Sequence, residues 1–305
     1  MAVVVIGNAT VDHSYEVPRL PLPGETLLAG AKLVDTGGKG LNQAIVAHRA
    51  GADVVFCAAL GRDAQAAVVL ERLQCEGLTA GHLARLPVAT DESLIFLARS
   101  GENTIVSTAA AAQSLAPEMV AAILDRLGPP DLILMQGNLT LETTSFCLRR
   151  ARAAGACTLL NAAPIAFEYT SLWPEVDVAI VNQVESRVLT GSADPSAAAR
   201  VLRQAGVGVV VTTLGPDGAR MVDQAGERVA PAPEVEALDT TGAGDVFCGV
   251  LAAALASRIE RAAALRWALG AASLSVTRRG TASAFPTREE LARLRGPALR
   301  EGVGR

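Results

Sequence analysis

The chain is poor in the residues that large or highly charged partners require. Aromatic residues make up 3% of its 305 positions, so few rings are available to stack on a nucleic base. Lysine and arginine (27) fall short of aspartate and glutamate (31), and the formal net charge is −4. No sequence-wide basic field exists to hold nucleic acid or an anionic membrane, and a small-molecule partner is the expectation. The five cysteines, Cys57, Cys75, Cys147, Cys157 and Cys248, are scattered and never form a C-x-x-C pair. That spacing argues against a disulfide framework and a zinc site, and for small core residues in a reducing compartment. His13, His48 and His82 also lack metal-ligand spacing. No apolar run is long enough to span a bilayer. The start, MAVVVIGNATVD, shows neither the basic segment nor the cleavage site of a secretory signal. These absences together lead to the expectation of a cytoplasmic enzyme.

Half of the residues are hydrophobic, enough for one large buried core with an appendage. Short β-branched runs, VVVIG, DVVFCAAL, DLILMQ, CTLLN, DVAIV and GVVVTT, alternate with Ala/Leu-rich stretches of helical character. This alternation predicts an α/β fold, a doubly wound and mainly parallel sheet with helices on both faces. Two regions, about 13–35 and 82–107, carry strand-like pieces (ETLLAGAKLV, ESLIFLARS, NTIVST) without helices between them. They predict a small antiparallel sheet inserted as a lid into one domain spanning 1–305. The tail after Arg295 is rich in glycine and charge and is expected to fray.

The densest chemistry lies in ALDTTGAGDVFCGVLAAAL. Gly242 and Gly244 permit backbone angles denied to other residues, so successive amides can converge on one point at a helix N-terminus, which favours an anion. Asp245 would repel a resting phosphate. Beside a phosphoryl group in transfer, however, it could take the proton of an attacking hydroxyl. Spacing alone leaves an equal alternative, in which Asp245 caps the helix and the glycines make a tight turn.

DTTGAGDVFCG resembles the C-terminal signature of the ribokinase-like (PfkB) carbohydrate kinases. GGKGLNQAIVAHRAGA, from Gly37 to Ala52, resembles their N-terminal signature, VNQVE their N-x-x-E motif, and TTLGPDGA their nucleotide-binding turn. The order and spacing follow the family from GNATVD to TRRGTASAFP. The resemblance implies a kinase using ATP and Mg2+ on a free pentose or hexose, and a homodimer formed through the lid. Asp245 would be the catalytic base, with Gly242, Ala243 and Gly244 forming the anion hole.

On the acceptor side, the resemblance assigns sugar contact to Gly38, Lys39 and Asn42, and to Asp12 in NATVDH. Polar groups on a tight turn suit a polyol. Taken alone, the motif reads more readily with Lys39 solvated and Asn42 an ordinary helix residue, and Asp12 reads as a turn residue. A Walker A loop is not matched, because Gly40 follows Lys39. Two positions differ from ribokinase itself: Thr10 stands where that enzyme has Asn, and Asn138 where it has Glu. This implies an acceptor other than D-ribose. The first glycine turn carries no arginine cluster for a phosphosugar.

Asn182 and Glu185 lie three apart and read either as a helix capping pair or, by resemblance, as groups ordering the waters of Mg2+. Thr213 and Gly215 follow a buried strand where a phosphate tail could approach backbone. The resemblance also implies a monovalent-cation site, K+ in many members, built from Asp239, Thr241, Ser275, Arg278 and Gly280. Ala284 replaces a serine ligand there. The competing readings are a nucleoside kinase, disfavoured by the sparse aromatics, and a non-catalytic sugar-binding protein, disfavoured by the intact Asp245 loop. A dinucleotide oxidoreductase is disfavoured because VVVIGNATVD lacks G-x-G-x-x-G.

Overall fold

The computed structural model describes residues 2–98, 100 and 102–300. In chain order its strands are β1 (Ala2–Ile6), β2 (Thr10–Val17), β3 (Lys32–Gly37), β4 (Asp53–Leu60), β5 (Leu83–Arg85), β6 (Asp91–Ala98), β7 (Asn103–Ser107), β8 (Leu132–Gln136), β9 (Cys157–Asn161), β10 (Val178–Asn182), β11 (Val209–Thr213), β12 (Ala219–Asp223) and β13 (Gly226–Ala230). The helices are α1 (Lys39–Arg49), α2 (Ala64–Glu76), α3 (Ala110–Gln113), α4 (Pro117–Leu124), α5 (Leu141–Ala153), α6 (Gln183–Thr190), α7 (Pro195–Gln204), α8 (Ala243–Ala256), α9 (Arg261–Ser275) and α10 (Arg288–Arg300).

The large sheet runs β13-β12-β11-β10-β9-β8-β1-β4-β5. From β5 to β11 every pairing is parallel, and β12 and β13 close one edge antiparallel. All six β-branched runs lie in it, because strands covered on both faces must be apolar on both. Val3 and Val5 join the core beneath α1, α8 and α9, whereas Val4 and Ile6 join the core beneath α4, α5 and α7. This is the two-residue alternation of a strand buried on both sides.

The lid is a second sheet, β3-β2-β6-β7. The expectation of a wholly antiparallel lid needs correction. β2–β3 and β6–β7 are antiparallel hairpins, but they meet along a parallel seam from Thr10↔Asp91 to Val17↔Ala98. Two insertions each supply a hairpin, and their first strands lie side by side and point the same way. The lid boundaries also shift. β5 pairs with β4 in the large sheet, so the second hairpin begins at Asp91, and ETLLAG forms no strand before Lys32. Arg99, at the end of ESLIFLARS, lies outside the described residues.

α10 carries the backbone to Arg300, beyond the expected point of fraying. It is docked by Leu291, whose carbonyl accepts from Trp267 Nε1 at 3.0 Å. Residues 301–305 lie outside the described residues. Cys57, Cys147 and Cys248 are core residues as expected, but Cys157 is half-buried and Cys75 exposed. Cys75 falls off the Ala66, Val69, Leu73 stripe by which α2 packs.

Candidate active site

α1 and α8 approach closely because Gly249 has no side chain. A Cβ there would stand 2.8 Å from Gln43 O and from Val46 Cβ. The contact brings the first glycine turn against the second. Gly242, with φ +78°, is the N-cap of α8, and a Cβ on it would lie 2.8 Å from Phe285 Cε1. Among the described residues, the amides of Gly242 and Gly244 meet no acceptor, while that of Ala243 reaches Thr240 O at 3.3 Å. Two free amides therefore remain at the positive end of a fourteen-residue helix.

Asp245, 5% exposed, does not cap this helix, which has no side-chain cap. Its Oδ2 accepts from Asn42 Nδ2 and its Oδ1 from Gln43 Nε2, both at 2.9 Å. Lys39 Nζ stands 3.8 Å from Oδ1. The negative charge of Asp245 holds the Lys39 ammonium above the ordinary lysine range, against the opposing effect of burial. The capping alternative therefore fails, and a buried carboxylate lies beside an anion-seeking turn.

The first glycine turn, which opens α1, is equally constrained. Gly38 has φ +88°, and a Cβ on it would lie 2.8 Å from Ala9 Cα. Asn8 Oδ1 accepts from Gly40 N at 3.2 Å, pinning the start of α1. Asp12 is buried on β2. Its Oδ1 accepts from Thr10 Oγ1 at 2.7 Å and its Oδ2 from Thr281 Oγ1 at 3.4 Å. Burial pushes the Asp12 carboxyl above the ordinary aspartate range, although these hydroxyls pull it back. Asn138 follows β8, and its Oδ1 is buried with no partner among the described residues, an acceptor left for another group to satisfy.

Asn182 and Glu185 form a reciprocal capping box on α6. Asn182 Oδ1 accepts from Glu185 N, and Glu185 Oε2 from Asn182 N, each at 2.8 Å. Thr213 and Gly215 line an open cleft holding about 780 Å³ of free space, walled also by Val235, Phe247, Leu269 and Val276, with Ala243 and Gly244 at its edge. An apolar cleft opening beside free amides suits a ligand with a flat apolar end and an anionic end.

Asp239 ties two loops together, its Oδ1 accepting from Thr241 N at 2.9 Å and its Oδ2 from Gly280 N at 3.0 Å. Thr241 Oγ1 is buried and unpartnered among the described residues. The carbonyl of Ser275 receives Arg278 N at 3.1 Å. The Arg278 guanidinium turns away to Glu290, with Nη1 to Oε2 at 3.0 Å, and holds that carboxyl down at about 2. Ala284 is buried. The structure thus joins Lys39, Asn42 and Asp245 directly, whereas Asp12 meets Thr10 and Thr281, and Asp239 holds the loop that leads into α8. Sequence reading missed Gln43, Gln136, Asn161 and Thr281. All four are buried polar residues, and a polar residue ending an apolar run, as in DLILMQ, was the available signal.

Residues 2–288 match the pfkB family carbohydrate kinase pattern. The chain is 32% identical over 292 residues to a ribokinase of Haemophilus influenzae, covering 94% of this chain and 95% of that one. It is 31% identical over 297 residues to a deoxyribokinase of Salmonella typhi, covering 95% and 97%. Among solved structures, a ribokinase from Thermotoga maritima matches with TM-score 0.88 at 29% identity, covering 96% of this chain and 99% of that one. Arabidopsis thaliana ribokinase complexed with ribose and ATP matches with TM-score 0.84 at 26% identity, covering 97% and 99%.

Proposed function

Since this chain belongs to the pfkB family of carbohydrate kinases, we propose that it transfers the terminal phosphoryl group of ATP to a hydroxyl of a small free sugar, a pentose or hexose, with Asp245 as base. One observation carries the assignment: a buried carboxylate held by two side-chain amides immediately follows a turn whose two glycine amides meet no acceptor among the described residues. The sugar hydroxyl gives its proton to Asp245 as its oxygen bonds to phosphorus and the bond from phosphorus to the ADP oxygen breaks. Gly242, Ala243 and Gly244 take up charge on the moving phosphoryl group through their backbone. Asp12, Gly38, Lys39, Asn42 and Asn138 hold the sugar, and the cleft beyond Thr213 and Gly215 receives the nucleotide.

The test is Asp245→Asn, assayed with ATP against a panel of free pentoses, hexoses, nucleosides and phosphosugars. The expected result is retained nucleotide binding with kcat lowered by about two orders of magnitude or more. Near-normal turnover would sink the assignment of the base, and preferred turnover of nucleosides would sink that of the acceptor.

Glu185 fits an outer role toward Mg2+, because each of its oxygens accepts one hydrogen bond and keeps a lone pair for a metal-bound water. The ion would neutralise phosphate charge. The Asp239 loop fits a monovalent cation such as K+ through the unpartnered Thr241 hydroxyl and the carbonyls around Ser275 and Gly280. Arg278 contributes backbone alone in this reading, because Glu290 engages its side chain.

The two sheets are read as one kinase domain. A homodimer through the lid is supported by Val34, Leu94 and Val106, exposed and aligned in one row across His13. Sedimentation of wild type against Val106→Asp checks it, and a wild-type monomer would exclude it. A reducing, cytoplasmic setting is supported by five free cysteines.

A further inference from the structure

Behind Asp245 lies a chain of side-chain amides. Gln43 and Gln136 are both 0% exposed, so neither can touch a substrate. Asn161 Nδ2 donates to the carbonyl of Ile180 at 3.2 Å, which leaves Asn161 Oδ1 facing Gln43. Gln43 Nε2 donates to that oxygen at 3.2 Å and to Asp245 Oδ1 at 2.9 Å. Gln43 Oε1 in turn accepts from Gln136 Nε2 at 2.8 Å. A flipped Gln43 would set its carbonyl oxygen against two acceptors and its amino group against another amino group. Only one orientation of the Gln43 amide satisfies its three partners, and it is anchored to backbone at Ile180 through Asn161, while Gln136 Oε1 stays buried with no partner among the described residues. Gly7 makes room for the chain, since a Cβ there would lie 2.0 Å from Gln136 Oε1.

Resting on the reading of Asp245 as base, we propose that Gln43 and Gln136 are positioning residues: Gln136 fixes the Gln43 amide, and Gln43 holds Asp245 Oδ1 in place through the hydrogen bond it donates. An amide donor aimed at a carboxylate oxygen stabilises charge on that oxygen. The other groups facing this carboxylate are Lys39 and Asn42 on α1 and Cys248 on the next turn of α8, while Glu185 on α6 acts on Lys39 and Cys248. Lys39 supports the charge. Cys248 is neutral, its thiol pushed far up by burial.

The experiment is a set of kcat/KM profiles against pH for wild type, Gln43→Met, Gln136→Met and Asp245→Asn, with KM for ATP measured in each. Loss of a hydrogen bond to a charged group shifts the acidic limb upward by about one to two pH units. That full shift is expected in Gln43→Met and a smaller one in Gln136→Met, with activity recovering at higher pH and KM for ATP unchanged. Gln136→Glu, nearly isosteric but unable when ionised to donate to Gln43 Oε1, replaces Gln136→Met if the latter does not fold, and the same rise is expected. A uniform loss at every pH, or limbs coincident with wild type, overturns the proposal. The control separates the two readings. An active Asp245→Asn removes the base assignment itself, whereas an inactive one combined with unmoved limbs removes only the positioning role.

Discussion

Thr10 donates its hydroxyl to Asp12 Oδ1 across 2.7 Å within the lid. Thr281 meets the other oxygen, so in the proposed complex the carboxylate would meet the sugar with part of its acceptor capacity already used. A pocket built for particular hydroxyls loses binding energy when donors and acceptors no longer match, about 1–3 kcal/mol per mismatch. D-ribose is therefore expected to be a poor acceptor relative to another free sugar or polyol, and Thr10→Asn and Asn138→Glu should raise its relative kcat/KM. If D-ribose gives the highest kcat/KM across a broad panel, both positions are tolerated variants with no role in specificity.

Asp12 itself is expected to lower stability. Burial raises its folded-state value above the 3.8 of an ordinary aspartate, so between those two values the folded chain binds more protons than the unfolded one. Its contribution to stability is then fully present below 3.8 and is lost as pH rises through the folded value. Asp12→Asn, which keeps an acceptor for Thr10, should therefore melt higher than wild type at neutral pH and lose this advantage in acid, while sugar phosphorylation falls sharply. Melting curves across pH check this, and a lower melting temperature at neutral pH would refute it.

Glu185 offers two roles that one pair of substitutions separates. Glu185→Gln retains an acceptor for Asn182 N and should keep the melting temperature, whereas Glu185→Ala loses the reciprocal cap at about 0.5–2 kcal/mol. If Glu185 orders metal-bound water, Glu185→Gln should still raise the Mg2+ concentration for half-maximal rate about tenfold. An unchanged Mg2+ requirement in the Gln variant would reduce the residue to a helix cap.

The Asp239 bridge joins the loop that begins α8 to the loop at Gly280. A cation lodged there would steady the glycine turn that opens α8, so turnover should be several-fold higher in potassium chloride than in a bulky organic cation salt at equal ionic strength. Equal rates in the two salts would argue that the bridge serves without an ion.

Six of the nine strands of the large sheet were legible, because strands buried on both faces advertise themselves as unbroken β-branched runs; β5, β12 and β13, at the two edges, carry no such run. The two glycine turns were legible because close approach leaves glycine little substitute. The lid was legible in outline only. Nothing local in residues 82–107 distinguishes β5, which extends the large sheet, from β6, whose parallel partner lies in another insertion. Asp245 could be singled out but not freed from its capping alternative until Asn42 and Gln43 were seen to take both its oxygens. For Asn182 and Glu185 the outcome ran the other way, since the capping geometry is the one observed. Gln43, Gln136 and Asn161 escaped notice because a buried amide shows its purpose only through partners brought close by tertiary packing.

The parallel seam of the lid also governs what a partial chain can do. The β2–β3 hairpin is complete once residue 37 has been made, but the other side of β2 pairs with residues roughly eighty positions downstream. Until Asp91–Ala98 arrives, that side presents unpaired N–H and C=O groups, a template for association with any other extended chain. A fragment ending before Asp91 keeps the strand that bears Asp12 and leaves it as an open edge. Truncations and split versions of this enzyme are accordingly best cut after Ser107, where both hairpins are whole.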